Sequence, residues 1–116
     1  MSDEELIHKL KDICDTYSDI LGTVILFGSY SRHESTEHSD IDLYIEPKDR
    51  SISSAKFGVN KRYKEFKFAL YDTFSREFDL LVYGGKKELN GIRKSPLWQQ
   101  IEKDGILIYE QRAKAV

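Results

Sequence analysis

The chain has 116 residues, 40% of them hydrophobic and 33% charged, with a formal net charge of −2. These values predict a single folded domain, residues 1–116, and exclude a disordered chain. The near balance of charge argues against broad nucleic-acid binding, which needs a basic excess. No segment has transmembrane length and no apolar signal core opens the chain, so we expect a cytoplasmic protein with no membrane contact and no direct nucleic-acid contact.

A helix is predicted first, from a cap at Ser2 or Asp3 to about Ser18, because apolar residues recur there at helical spacing. These residues are Leu6, Leu10, Ile13, Cys14, Tyr17 and Leu21. The only cysteine, Cys14, excludes an internal disulfide and is interpreted as a small core residue of this helix. Residues 23–27, TVILF, then predict a buried strand that ends at Gly28.

The segment after Gly28 is predicted to be a short helix over residues 29–34, with Ser29 near its N-terminus, followed by a loop. Residues 40–46, DIDLYIE, alternate strictly and predict a strand that Pro47 ends. One face of this strand is apolar. The other face carries Asp40, Asp42, Tyr44 and Glu46.

The second half of the chain alternates helices with strands. We expect a polar, mobile segment over 48–58, a helix from about Asn60 to Arg76, a strand over 78–84, a weak helix over 86–95, a helix over 96–104, a strand over 106–110 and a polar tail. This order predicts an α/β (α+β) fold in which a small mixed β-sheet has helices packed mainly on one face.

Two aspartates two residues apart on one strand point to a cation site. Asp40 and Asp42 would leave the same face, roughly 7 Å apart along the strand. Hard cations such as Mg²⁺ take oxygen ligands, and a two-metal site needs a further carboxylate. Asp79 is the candidate, because an aspartate in the otherwise apolar strand 78–84 is costly unless it faces a polar cleft or a metal.

The Gly28–Ser29 pair supplies groups that suit phosphate. Glycine lets the backbone approach a phosphate closely, and the serine hydroxyl and following N–H groups can donate to its oxygens. The segment lacks the Gly-Lys-Ser/Thr of a Walker loop, and Ile45 stands where a calcium-binding EF-hand loop needs glycine. The alternative is that Asp40 and Asp42 lie on a solvated strand face and that Gly28 only makes a turn.

Residues 28–43, GSYSRHESTEHSDIDL, resemble the signature of the DNA polymerase beta-like nucleotidyltransferase superfamily, in which Gly-Ser, ten residues and Asp-x-Asp follow one another. The short length and residues 95–109, SPLWQQIEKDGILIY, resemble the minimal nucleotidyltransferases (MNT), antitoxin-type partners of HEPN-domain toxins. The resemblance implies two Mg²⁺ ions held by Asp40, Asp42 and Asp79, and a triphosphate held by Gly28 and Ser29.

The activity that the resemblance implies is transfer of AMP from ATP to a hydroxyl of a partner protein, a HEPN toxin, which the transfer would silence. Asp79 would bind the catalytic ion and help deprotonate the acceptor hydroxyl. Two alternatives stay open: a non-catalytic, nucleotide-binding antitoxin that neutralises the toxin by complex formation, and an enzyme acting on a small molecule such as an antibiotic.

Several further residues near the predicted site have two interpretations. Arg32 could hold a phosphate or pair with a nearby acid. Glu46 could add a ligand to the site, and Tyr44 could line its cleft. We interpret His33 and His38 as solvated loop residues. Trp98 fits a core or interface better than a base-stacking platform.

Overall fold

The computed structural model describes residues 1–32, 34–36 and 38–111. Its helices and strands, in chain order, are α1 (Asp3–Thr16), β1 (Leu21–Phe27), β2 (Ile41–Pro47), α2 (Ser54–Gly58), α3 (Lys61–Phe74), β3 (Phe78–Val82), α4 (Lys86–Ile92), α5 (Pro96–Asp104) and β4 (Ile106–Glu110). Within these ranges no helix is both long and apolar enough to cross a lipid bilayer.

The four strands form one mixed sheet in the order β3-β2-β1-β4. β1 pairs antiparallel with both β2 and β4, whereas β2 and β3 run parallel. The parallel pair is joined by a crossover that contains α2 and α3. This topology confirms the predicted mixed sheet, and it brings the first residues of β2 and β3 to the same end of the sheet.

Side-chain caps fix where the helices begin. Ser2 caps α1 by accepting from the backbone N–H of Glu5, and Asn60 caps α3 by accepting from two backbone N–H groups. Ser95 does the same for α5, where Pro96 occupies the first helical position. Each cap satisfies donors that the helix leaves unpaired, which contributes about 1 kcal/mol per helix.

Most helices pack on one face of the sheet, as predicted. The main core lies between that face and α1, α2 and α3, and it includes the fully buried Leu10, Cys14, Leu43, Phe66 and Leu70. A smaller cluster on the opposite face joins Tyr44 to Ile92 of α4 and Ile101 of α5. Burying one such apolar side chain stabilises the fold by about 1.5–3 kcal/mol, so both layers are firmly held.

Two local predictions were wrong. The described part of residues 29–34 is a hydrogen-bonded turn and not a helix, since the hydroxyl of Ser31 and the N–H of Arg32 both donate to the carbonyl of Gly28. Residues 48–58 contain α2, because Ser53 caps a short helix whose Phe57 is buried in the main core. The polar tail after Gln111 lies outside the described residues.

Candidate functional site

Two of the three predicted acidic residues are direct neighbours in the sheet. Asp42 of β2 and Asp79 of β3 are partners in the parallel register. Their side chains therefore leave the same face of the sheet, on strands about 4.8 Å apart. Asp40 lies two residues before Asp42, just ahead of β2, and is exposed. The fold thus brings carboxylates from two separate segments to one end of the sheet.

The three acidic side chains interact electrostatically. Partial burial raises the pKa of Asp42, and the charges of Asp79 and then Asp40 raise it further. The charge of Arg32 acts in the opposite direction. Like charges that influence one another in this way are unfavourable unless a cation lies between them.

Gly28 lies directly against the carboxylate of Asp42. Its φ is 75°, in the left-handed region that favours glycine, and a Cβ atom at this position would lie only 2.2 Å from Oδ2 of Asp42. Phe27, the last residue of β1, is the register partner of Asp42. Both the backbone conformation and the available space therefore require glycine here.

Ser29 follows in the same turn and is partly buried. Its backbone carbonyl accepts from the N–H of Glu34 at 2.9 Å. Its hydroxyl makes no hydrogen bond with any side chain or backbone group in the described part of the chain. The hydroxyl is thus a donor that a ligand at this end of the sheet could use.

Arg32 makes the pair with a nearby acid that was one of its two interpretations. Its Nε donates to Oε2 of Glu34 at 3.3 Å, in a pair that is largely solvent-exposed. Exposed pairs contribute about 0–1 kcal/mol, so this contact would not prevent the side chain from turning to a ligand. Arg32 is also near enough to Asp42 to oppose the rise of its pKa.

The donor chemistry of this end of the sheet fits a hard divalent cation. Among the residues that the structure describes, no hydrogen bond or ion pair engages the carboxylates of Asp40, Asp42 or Asp79. Among the same residues, no group of three or more Asp, Glu, His or Cys side chains is already arranged to hold a metal ion. Asp40 and Asp79 are exposed and can rotate, so a cation would draw the oxygens together.

Asp79 lies beside Asp42 but is exposed, so the cost of burial expected from its apolar neighbours in the sequence is wrong. β3 is an edge strand and Asp79 is exposed, so its carboxylate carries no cost of burial. Its place in the register of the parallel pair, which the sequence alone does not give, connects it to the other acids.

Glu46 and Tyr44 do not line an open cleft, which corrects that expectation. Glu46 is 2% exposed, and its carboxylate accepts from the hydroxyl of Tyr44 at 2.6 Å and from Arg50 and Arg93 at 3.1 Å each. These donors occupy the carboxylate, so Glu46 is not available as an additional ligand. Burial is the main cause that raises the pKa of the Tyr44 hydroxyl, and its bond to Glu46 adds to it.

Two of the remaining candidates near the site, His38 and Trp98, follow the simpler interpretations. His38 is exposed, whereas His33 lies outside the described residues. Trp98 is partly buried and packs against the smaller cluster, with its ring centroid 5.1 Å from that of Tyr44. Arg76 was not predicted, because no local pattern marks it, yet its side chain reaches the loop that precedes Asp40.

The raised pKa of Asp42 leads to a testable prediction about stability without divalent cations. A carboxyl whose pKa is raised by folding destabilises the folded state once it ionises. The ordinary pKa of an aspartate is 3.8, so the free energy of unfolding should fall as the pH rises from about 3.8 through the raised pKa of Asp42. Asp42→Asn removes this cost. We expect the variant to have a higher Tm than the wild type near neutral pH, with the difference vanishing in acid.

Asp72→Asn, which replaces an exposed carboxylate of α3, serves as the matched control and should follow the wild type at every pH. Thermal unfolding followed by circular dichroism over a pH series measures the difference. Equal Tm values for the wild type and Asp42→Asn throughout the series would contradict the electrostatic interpretation.

Solved structures share this fold. A toxin–antitoxin complex with AMP-PNP contains a chain with a TM-score of 0.57 and 19% identity, covering 97% of this chain and 76% of that chain. A tri-AMPylated HEPN toxin of Shewanella oneidensis in complex with an MNT antitoxin gives a TM-score of 0.56 at 19% identity, covering 95% of this chain and 74% of that one. At these identities the likeness concerns the fold.

Sequence comparison identifies the family. A protein of Methanocaldococcus jannaschii, named as a candidate protein adenylyltransferase, is 33% identical over 72 residues, which cover 62% of this chain and 65% of that relative. The family model described as polymerase beta, nucleotidyltransferase, matches residues 8–114, the range that holds the Gly-Ser turn and all three aspartates. The resemblance seen in residues 28–43 is thereby confirmed, and the chain belongs to the polymerase beta nucleotidyltransferase family.

Proposed function

We propose that this protein is a Mg²⁺-dependent nucleotidyltransferase that moves AMP from ATP to a hydroxyl group of a partner protein. The observation that carries the proposal is the register of Asp42 with Asp79, beside a glycine that contacts the carboxylate of Asp42. Carboxylates for cations and donors for phosphate lie at one end of one sheet. Membership of a nucleotidyltransferase family supports the same reaction class.

The turn after β1 would bind the triphosphate. Gly28 has no side chain, so a phosphate can approach its backbone closely, and the Ser29 hydroxyl is available to donate to a phosphate oxygen. Arg32 would exchange its exposed pair with Glu34 for a more strongly charged phosphate. These residues would fix the β- and γ-phosphates and leave the α-phosphorus facing the carboxylates.

The three carboxylates would hold the cations, and one of them, Asp79, would also accept a proton. Two Mg²⁺ ions, when bound, would stabilise the charge that develops on the attacking and the leaving oxygen. Asp40 and Asp42 would hold both ions, and Asp79 would hold the one nearer the acceptor. The acceptor oxygen forms a bond to the α-phosphorus while the bond to pyrophosphate breaks, and Asp79 helps to remove the proton from the acceptor hydroxyl.

The position of Asp79 favours a large acceptor. Asp79 is exposed on edge strand β3, so the hydroxyl of another macromolecule can reach it from solvent. The M. jannaschii relative bears the name of a protein adenylyltransferase, and a fold neighbour is the antitoxin bound to an AMPylated HEPN toxin. We therefore propose a HEPN-domain toxin as the acceptor and antitoxin action in the cytoplasm as the role.

Label transfer tests this proposal. The protein is mixed with labelled ATP, Mg²⁺ and a HEPN-domain protein from the same genome. We expect label on the HEPN protein with the wild type and with the control Asp72→Asn, and at least about a hundredfold less with Asp42→Asn, since the metal ligand is lost. Circular dichroism verifies that both variants are folded.

Two results would overturn the proposal in different ways. Transfer that persists in Asp42→Asn would remove the assignment of the carboxylates. A tight complex with no transfer by either protein would favour the non-catalytic antitoxin, in which ATP is at most a structural ligand.

A further inference from the structure

Arg76 links the segments that carry the candidate site. It lies between α3 and β3, and its Nη2 donates to the backbone carbonyl of Ser39 at 2.5 Å and to that of Thr36 at 3.2 Å. Ser39 is the residue immediately before Asp40. The guanidinium of Arg76 therefore binds the main chain one residue away from a proposed cation ligand.

The same guanidinium also contacts the Gly-Ser turn. Its Cζ lies 5.6 Å from the ring centroid of Tyr30, which is 5% exposed and stands two residues after Gly28. A guanidinium over an aromatic face at this distance is attracted to the ring. Arg76 itself is three residues before Asp79. One side chain thus connects the turn, the loop before Asp40 and the segment leading into β3.

Thr36 and Ser39 lie in the loop that precedes Asp40. Within its described residues, Thr36 and Ser39 bond mainly to each other, through the hydroxyl and backbone groups of a local turn. Arg76 supplies two hydrogen bonds that tie this turn to a distant part of the chain. Beyond Asp40, the N–H of Ile41 donates to the carbonyl of Glu77 at the start of the sheet.

We infer that Arg76 is a positioning residue that holds Asp40 at the distance from Asp42 and Gly28 which cation binding requires. The inference rests on the proposed function. Arg76 has no contact with a reacting group in this role; it acts through the backbone of Ser39. Loss of residues that orient metal ligands typically lowers metal affinity or activity by about 10–100-fold.

The sign of the effect separates positioning from simple electrostatics. Arg76→Gln removes a positive charge near a cation site, which by Coulomb's law alone should tighten cation binding. Positioning predicts the opposite, since Asp40 would no longer be held beside Asp42. A purely structural role for Arg76 would lower Tm without changing the cation affinity of the folded protein.

The experiment measures Mn²⁺ affinity of the purified protein with a non-hydrolysable ATP analogue, by titration calorimetry. We expect Arg76→Gln to bind Mn²⁺ about tenfold more weakly than the wild type. Label transfer should need a higher Mg²⁺ concentration for half-maximal rate. Arg76→Lys keeps the charge but has a single donor group, so its Mn²⁺ affinity should lie between those of the wild type and Arg76→Gln. The control Lys103→Gln removes an exposed charge of α5 and should match the wild type.

Unchanged or tighter Mn²⁺ binding by folded Arg76→Gln would overturn the inference. If that variant does not fold, Arg76→Lys decides, because an affinity at or above the wild-type value would also overturn it. Failure of the wild type to bind Mn²⁺ or to transfer label would refute the proposed function instead, so the two failures are distinguishable.

Discussion

Gly28→Ala is expected to abolish label transfer and to lower the free energy of unfolding by about 2–4 kcal/mol. The backbone at this position has a φ of 75°, where any other residue is strained. The new Cβ would also lie 2.2 Å from Oδ2 of Asp42, so either the carboxylate or the turn must move. Both movements displace groups that the proposed reaction needs at the same point.

Gly91→Ala is the matched control for this substitution. Gly91 lies in α4, and a Cβ atom there would meet no atom within 4 Å. Alanine is a better helix former than glycine, so this variant should gain about 0.5–1 kcal/mol and keep full transfer activity. Urea denaturation and label transfer measure both effects. A Gly28→Ala protein that matched Gly91→Ala in both assays would show that the close contact with Asp42 has no importance.

The second large effect is expected from Glu46→Ala, which should destabilise the fold by about 3 kcal/mol. The buried carboxylate of Glu46 accepts hydrogen bonds from Tyr44, Arg50 and Arg93. Its removal leaves the buried hydroxyl of Tyr44 without this acceptor, and two arginines lose their counter-charge. The arginine side chains are 38% and 50% exposed, so water can compensate them in part.

The Glu46 network also holds the smaller helical layer on the sheet. Arg93 caps the end of α4 and lies over the ring of Trp98 in α5, with its Cζ 5.6 Å from the centroid. We therefore expect near-ultraviolet dichroism from Trp98 to weaken in Glu46→Ala. Glu46→Gln, which keeps the shape, should lose less stability, and the exposed Glu110→Gln should lose almost none. Equal stabilities for the three variants would contradict the assignment of a buried, essential carboxylate.

The strands and the Gly-Ser turn could be predicted because their signals are local. The alternation in residues 40–46 predicted which face of the sheet carries Asp42. The apolar run before Gly28 predicted β1. Gly28 was predicted to let the backbone approach a phosphate, whereas its close approach to the carboxylate of Asp42 appears only in the structure.

Features that depend on tertiary packing could not be predicted in the same way. The alternation correctly placed Glu46 on the same face of the sheet as Asp42. The packing of α4 and α5, which the alternation does not reveal, covers this face at Tyr44 and Glu46 and leaves it partly open at Asp42. Arg76 contacts Ser39 and Thr36, which are 37 and 40 positions away in the sequence, so no local pattern reveals these contacts. Asp79 was selected from a burial argument that its exposed edge strand contradicts.

The most direct test of whether Asp40, Asp42 and Asp79 form one cation site is to count bound Mn²⁺ ions. Electron paramagnetic resonance measures this number in the presence of a non-hydrolysable ATP analogue. We expect two ions per wild-type chain, as in two-metal transferases. This binding should be lost in Asp42→Asn and in Asp79→Asn but not in Asp72→Asn. Wild-type stoichiometry and affinity in both site variants would contradict it, because the carboxylates that are register partners in β2 and β3 would then have no part in holding the metal.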